Sequence, residues 1–127
     1  MPGPARAGAL IYAKDVERVA TFYEQLLPMR RLFADAGHVV LESPDFQLLI
    51  QATPPQSETA GALAPPGPRD RAAIKLFFTV PSLTDAGATA RALGGDLYAQ
   101  SYAGPGFTVR NGSDPEGNVF HLREPAA

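Results

Sequence analysis

The chain has 127 residues, with no cysteine, no tryptophan and two histidines among 45% hydrophobic and 19% charged side chains. This is material for one domain with a substantial core, and the missing thiols exclude disulfide frameworks, thiolate zinc sites and thiol nucleophiles. Eleven basic against thirteen acidic side chains leave a formal net charge of −2, so no nucleic-acid-binding face built from excess Lys and Arg is expected.

The opening Met1-Pro2-Gly3-Pro4-Ala5-Arg6 lacks the apolar run of a signal peptide. No stretch approaches the roughly 18 apolar residues of a membrane span, so a soluble cytoplasmic protein with no membrane partner is the expectation. Thirteen prolines and twelve glycines predict short elements and many turns. The first apolar run, residues 9–13, suits a buried strand. Asp15 follows as an N-cap, and Val16, Val19, Ala20, Tyr23, Leu26 and Leu27 then mark one helical face that ends at Pro28. Strands are expected at 29–34, 38–42 and 46–52, separated by Asp35-Ala36-Gly37 and Ser43-Pro44-Asp45.

Residues 53–68 hold five prolines and no apolar period, which reads as a linker rather than a functional loop. After it the order repeats. Residues 73–80 read as a strand, Ser82-Leu83-Thr84-Asp85 as a capping box, and Leu83, Ala86, Ala90 and Leu93 as a helix face stopped by Gly94-Gly95. Strands at 96–102, 107–111 and 118–123 complete the chain, with turns at Gly104-Pro105-Gly106 and across residues 111–117. Aligning Asp15 with Ser82 pairs Gly8 with Lys75, Leu10 with Phe77 and Tyr12 with Thr79. The expected architecture is therefore α+β: two β-α-β-β-β modules, residues 8–52 and 72–125, joined by a Pro-rich linker at 53–71. Their sheets would form a trough with the helices on the outer faces, and binding sites favour such concave seams.

Two passages carry a family likeness: Ala13-Lys14-Asp15 leading to Phe22-Tyr23-Glu24-Gln25-Leu26-Leu27, and Asp114-Pro115-Glu116-Gly117-Asn118-Val119-Phe120-His121-Leu122. In this order the chain resembles the glyoxalase, bleomycin-resistance and extradiol dioxygenase superfamily, the vicinal oxygen chelate proteins. The resemblance implies four metal-ligand positions in the metal enzymes, on the first and last strands of each module and filled by His, Gln or Glu. The first-strand positions correspond to Gly8 and Lys75 and the final one to His121. The remaining one falls at Ile50 or Gln51, where a one-residue slip exchanges the two faces of the sheet.

Glycine has no side-chain ligand and a protonated lysine repels a cation, so no metal site and no cofactor are expected, a divalent ion being disfavoured. The trough would instead bind a small organic ligand with Tyr12, Gln51, Lys75, Phe77, Tyr98, Tyr102, Phe107 and His121. Alternation gives that face Leu10, Thr79, Val119 and Val109 too, with Phe120 and Leu122 turned toward a helix. Lys75 favours an anionic or neutral ligand over a cationic drug. A metal-dependent lyase, isomerase or dioxygenase using His121 with Gln51 and Glu42 is the alternative, and a metal-free acid–base enzyme using Lys75 or His121 a third. The resemblance also implies a homodimer. Arg30-Arg31 and Arg69-Asp70-Arg71 read as solvated charge, and His38 as a surface residue.

Overall fold

Aspartate and serine each open a helix as their chemistry dictates, because a short side-chain oxygen accepts from the unpaired amides of the first turn. In the computed structural model, which describes residues 5–53, 68–69 and 72–126, Asp15 accepts from the Arg18 amide at 3.0 Å and Ser82 from the Asp85 amide at 3.1 Å. They cap α1 (Val16–Leu26) and α2 (Leu83–Ala92). Glu124 adds a second acceptor at the start of α2, taking the Leu83 amide at 2.7 Å, where the helix dipole favours a carboxylate. Prolines 54, 55, 65 and 66, with Asp70 and Arg71, lie outside the described residues.

The elements form two compact units of the same design. The first holds β1 (Gly8–Ala13), α1, β2 (Arg30–Asp35), β3 (His38–Ser43) and β4 (Phe46–Ala52), with strand order β1-β4-β3-β2. The second holds β5 (Leu76–Thr79), α2, β6 (Asp96–Gly104), β7 (Phe107–Ser113) and β8 (Val119–Pro125), in the order β5-β8-β7-β6. In each, the first strand runs parallel to the last and the other pairs are antiparallel. The repeated β-α-β-β-β order is thus present as two four-stranded mixed sheets, each with one helix.

Each helix seals one face of its own sheet. In the first unit Val16, Val19, Ala20, Phe22, Tyr23 and Leu26 are buried, as are Val39, Leu41, Leu48 and Ile50 of the sheet. Phe22, missing from the expected helical face, is fully buried and meets Tyr23 edge-to-face at 5.1 Å. A buried Phe contributes about 2–3 kcal/mol. In the second unit the buried helix positions are Leu83, Ala86, Gly87 and Ala90, mostly small, beside buried Leu97, Phe120 and Leu122.

Four expectations need correction. The fifth strand covers only Leu76–Thr79, because its pairing with β8 begins at Phe120; Ala73, Ile74 and Lys75 precede it. The turn expected across 111–117 begins only at Asp114, since Asn111, Gly112 and Ser113 continue β7. Gly112 permits this: a Cβ there would lie 2.5 Å from the Asp96 carbonyl oxygen and 3.0 Å from the Phe120 ring. Arg31 is not solvated charge. It binds Glu17 and, at 3.1 Å, Glu24, fastening β2 to α1, and the Glu17 hydrogen bond holds that carboxyl below its ordinary range. His38 is half-buried, with its ring 5.7 Å from that of Phe33.

The Asp114–Asn118 turn is built around one buried carboxylate. Asp114 Oδ1 accepts from the amides of Glu116 at 2.8 Å and Asn118 at 3.0 Å, and Oδ2 accepts from Asn118 Nδ2 at 2.9 Å. Gly117 supplies the left-handed backbone, at φ +84°. Arg69 ties onto the same turn, donating to Asn118 Oδ1 at 2.8 Å.

Candidate functional site

With one face of each sheet under its helix, the other carries the remaining side chains, and strand alternation decides which they are. In the first unit, cross-strand register gives three rows on this open face. Gly8, Gln47, Glu42 and Arg30 form a polar row, in which Gln47 donates to Glu42 at 3.1 Å and Arg30 to the same carboxylate at 3.2 Å. These bonds, Gln47 first, hold the Glu42 carboxyl below its ordinary range. Leu10, Leu49, Val40 and Phe33 form an apolar row; Tyr12, Gln51, His38 and Asp35 form the third. The register settles the Ile50–Gln51 alternative: Ile50 is wholly buried on the helix side, and Gln51 shares the open face with Tyr12.

The second unit has a denser arrangement. Phe120 and Leu122 are buried, as alternation required, which turns His121 and Arg123 to the open face. Phe77 lies beside His121 across the β5–β8 pairing, with ring centroids 5.5 Å apart. The Arg123 guanidinium carbon sits 3.8 Å from the Phe77 centroid and 4.3 Å from that of Phe107. Those rings belong to the rows before and after Arg123, on the strands to either side, so they approach it along opposite diagonals. Arg123 Nε donates to His121 Nε2 at 3.1 Å, which leaves the imidazole proton on Nδ1. Asn111 is the other cross-strand neighbour of His121 and accepts from Lys75 Nζ at 3.5 Å. Burial first, then the charges of Arg123 and Lys75, hold the His121 pKa below the ordinary histidine value. The ring therefore stands as a neutral acceptor between two cations.

Of the eight residues expected to bind ligand, Phe77, Phe107 and His121 converge around Arg123, with Lys75 reached through Asn111. Tyr102 pairs with Val109 in the row of Arg123 and is 48% exposed. Tyr98 stands apart at an irregularity between Leu97 and Ser101, where Arg110 donates to the Leu97 and Tyr98 carbonyls. Tyr12 and Gln51 are cross-strand neighbours in the first unit. Sequence reasoning missed Arg123 and Asn111. Both were within reach, since a residue two after His121 on a strand must share its face, and Asn111, the last residue of the expected strand 107–111, shares the face of Phe107 and Val109 by the same alternation.

These donors do not suit a divalent cation. Gly8 offers none, and even a Cβ there would lie 2.6 Å from the Gln47 carbonyl oxygen. Lys75 is a cation, and the Nε2 lone pair of His121 points at a guanidinium. Among the described residues no three His, Asp or Glu side chains are grouped to hold a metal, and no helix is long and apolar enough to cross a membrane.

Known structures share this architecture. A glyoxalase/bleomycin resistance protein/dioxygenase family enzyme from Burkholderia phytofirmans is similar at TM-score 0.69 and 18% identity, over 94% of this chain and 97% of that one. Lactoylglutathione lyase from Agrobacterium tumefaciens is similar at TM-score 0.59 and 22% identity, covering 97% and 95%. TioX from Micromonospora sp. ML1 is similar at TM-score 0.64 and 15% identity, covering 98% and 100%. At such identities the likeness shows the fold alone, and that fold is the vicinal oxygen chelate fold. The model of the glyoxalase-like domain family matches residues 9–123, and the chain belongs to that family. Comparison with curated protein sequences gives no match.

Proposed function

We propose that this glyoxalase-like domain is a small-molecule binding protein whose ligand lies on the open face of the second sheet and which needs no resident metal. One observation carries this reading: Phe77 is 52% exposed beside His121 and Arg123, on a sheet whose other face is sealed by α2. Aromatic walls with a few convergent polar groups are what a small organic ligand requires. Backbone-amide NMR shifts on addition of a panel of neutral and charged naphthalene derivatives test it. Shifts centred on Phe77, Phe107, His121 and Arg123 are expected; shifts elsewhere, or none, would refute it.

The competing metal-dependent lyase, isomerase or dioxygenase would draw on His121, Gln51 and Glu42. Glu42 is already held by Gln47 and Arg30, and His121 by Arg123. The proposal includes a homodimer, supported by Leu32 and Phe33, about half exposed on the edge strand β2. Sedimentation at micromolar concentration tests that, and a monomer would exclude it. A cytoplasmic location belongs to the same reading and is tested by cell fractionation.

A further inference from the structure

Arg123 is held in an unusual way for a cation on a sheet surface. A guanidinium has five N–H donors in one plane. Nε–H is taken by His121, and the Phe77 and Phe107 rings lie against the group from opposite diagonals. The two terminal nitrogens keep four in-plane N–H donors, for which the described residues offer no acceptor. Nor does any described carboxylate come within ion-pair distance of Arg123 or Lys75. The nearest acidic residue in sequence, Glu124, is turned to the other side of the strand, where it caps α2. The chain as a whole is net negative, yet this face concentrates two cations around a neutral imidazole.

We infer, building on the binding reading above, that the ligand is an organic carboxylate on a flat apolar body, and that Arg123 recognises its charge through the free edge of the guanidinium. A carboxylate matches that edge with two parallel N–H···O bonds, a geometry a lysine cannot reproduce. The flanking rings and His121 fix the plane of the group, so little side-chain freedom is lost when the anion docks. Phe77, Phe107 and Tyr102 supply the surface for the apolar body. Lys75, at the margin of the cluster, adds long-range attraction rather than a directed bond.

The experiment titrates 2-naphthoate against its neutral isostere 2-naphthamide and against 2-naphthyl phosphate, following ligand fluorescence in a chain with no tryptophan. Naphthoate is expected to bind about tenfold or more tightly than the amide, the usual strength of a charge-assisted pair of bonds. Arg123→Gln should erase that preference, so that naphthoate binds this variant no more tightly than naphthamide does, and Arg123→Lys should restore only part of it. Exposed Lys75, whose replacement does not threaten the fold, provides an independent variant: Lys75→Gln should reduce the preference for naphthoate over naphthamide about threefold. Equal affinity for naphthoate and naphthamide would overturn the carboxylate inference and leave the binding reading standing. Tighter binding of the phosphate than of the carboxylate would overturn it in favour of a tetrahedral anion. Failure of all three probes to bind would count against both.

Discussion

Replacing Asp114 by alanine removes the acceptor for at least three donors at once: the amides of Glu116 and Asn118 and the side-chain amide of Asn118. Asp114 is 3% exposed and Glu116 8%, so water has poor access to the donors left behind. Hydrogen bonds to a charged acceptor are worth about 1.5–3 kcal/mol each, but these share one carboxylate and will not add in full. A loss of about 3–5 kcal/mol is the expected total, a large part of the usual 5–15 kcal/mol of a domain. Asp114→Asn keeps an oxygen for the two backbone amides but turns an NH2 toward Asn118. Asn118 cannot simply flip to accept it, because its Oδ1 already takes the Arg69 bond at 2.8 Å. That variant should lose about 1–2 kcal/mol. Urea unfolding followed by circular dichroism measures both, with an unchanged m-value showing that native stability is what changed. A loss below about 1 kcal/mol for the alanine variant would refute the idea that this carboxylate organises the turn.

Further expected outcomes concern the core, the histidine and the metal. Gly112→Ala places a methyl group against the Asp96 carbonyl and the Phe120 ring, and should destabilise the chain by about 1–3 kcal/mol; a neutral result in the same urea assay would show that β6 and β7 can part freely. Because the folded-state pKa of His121 is depressed, the unfolded chain takes up this proton first as pH falls. Its contribution to stability is whole above the ordinary histidine value and is lost as pH drops through the folded one. His121→Gln should therefore lose less stability than wild type between about pH 7 and pH 5, and parallel losses would exclude the effect. Arg123→Gln should move the NMR titration of His121 upward, toward the ordinary value. Metal analysis of protein purified without chelator should find no stoichiometric divalent ion, and EDTA should leave naphthoate affinity unchanged; a tightly bound ion would restore the metal-dependent alternative.

How far the sequence could be read depended on how local each signal was. Asp15 and Ser82 announce helices because capping is settled within four residues, and both caps form as expected. The alternation of Phe120, His121 and Leu122 sorts the last strand onto two faces with no tertiary information. The failures are places where a distant partner decides. Asn111-Gly112-Ser113 has turn chemistry, but Gly112 lets β6 and Phe120 come close enough to keep those residues in the ladder. Arg31 looked solvated because Glu17 and Glu24 lie on a helix several residues earlier. Ile50 and Gln51 could be told apart only by register with β1. Arg123 lay in plain view, but its meaning required Phe77 and Phe107, forty-six and sixteen positions upstream, to be set on either side of it.

Strand β8 has a consequence for how this chain can vary. His121 and Arg123 lie on the open face, the proposed ligand face, while Phe120 and Leu122 fill the core and Glu124 caps the helix beneath. Point substitutions at His121 and Arg123 change the open face while the underside is untouched. A single-residue insertion or deletion would trade every assignment at once, driving arginine into the core and stripping α2 of one of its caps. The chemistry of the open face is therefore free to drift by exchange of side chains, whereas the length of the last strand is not.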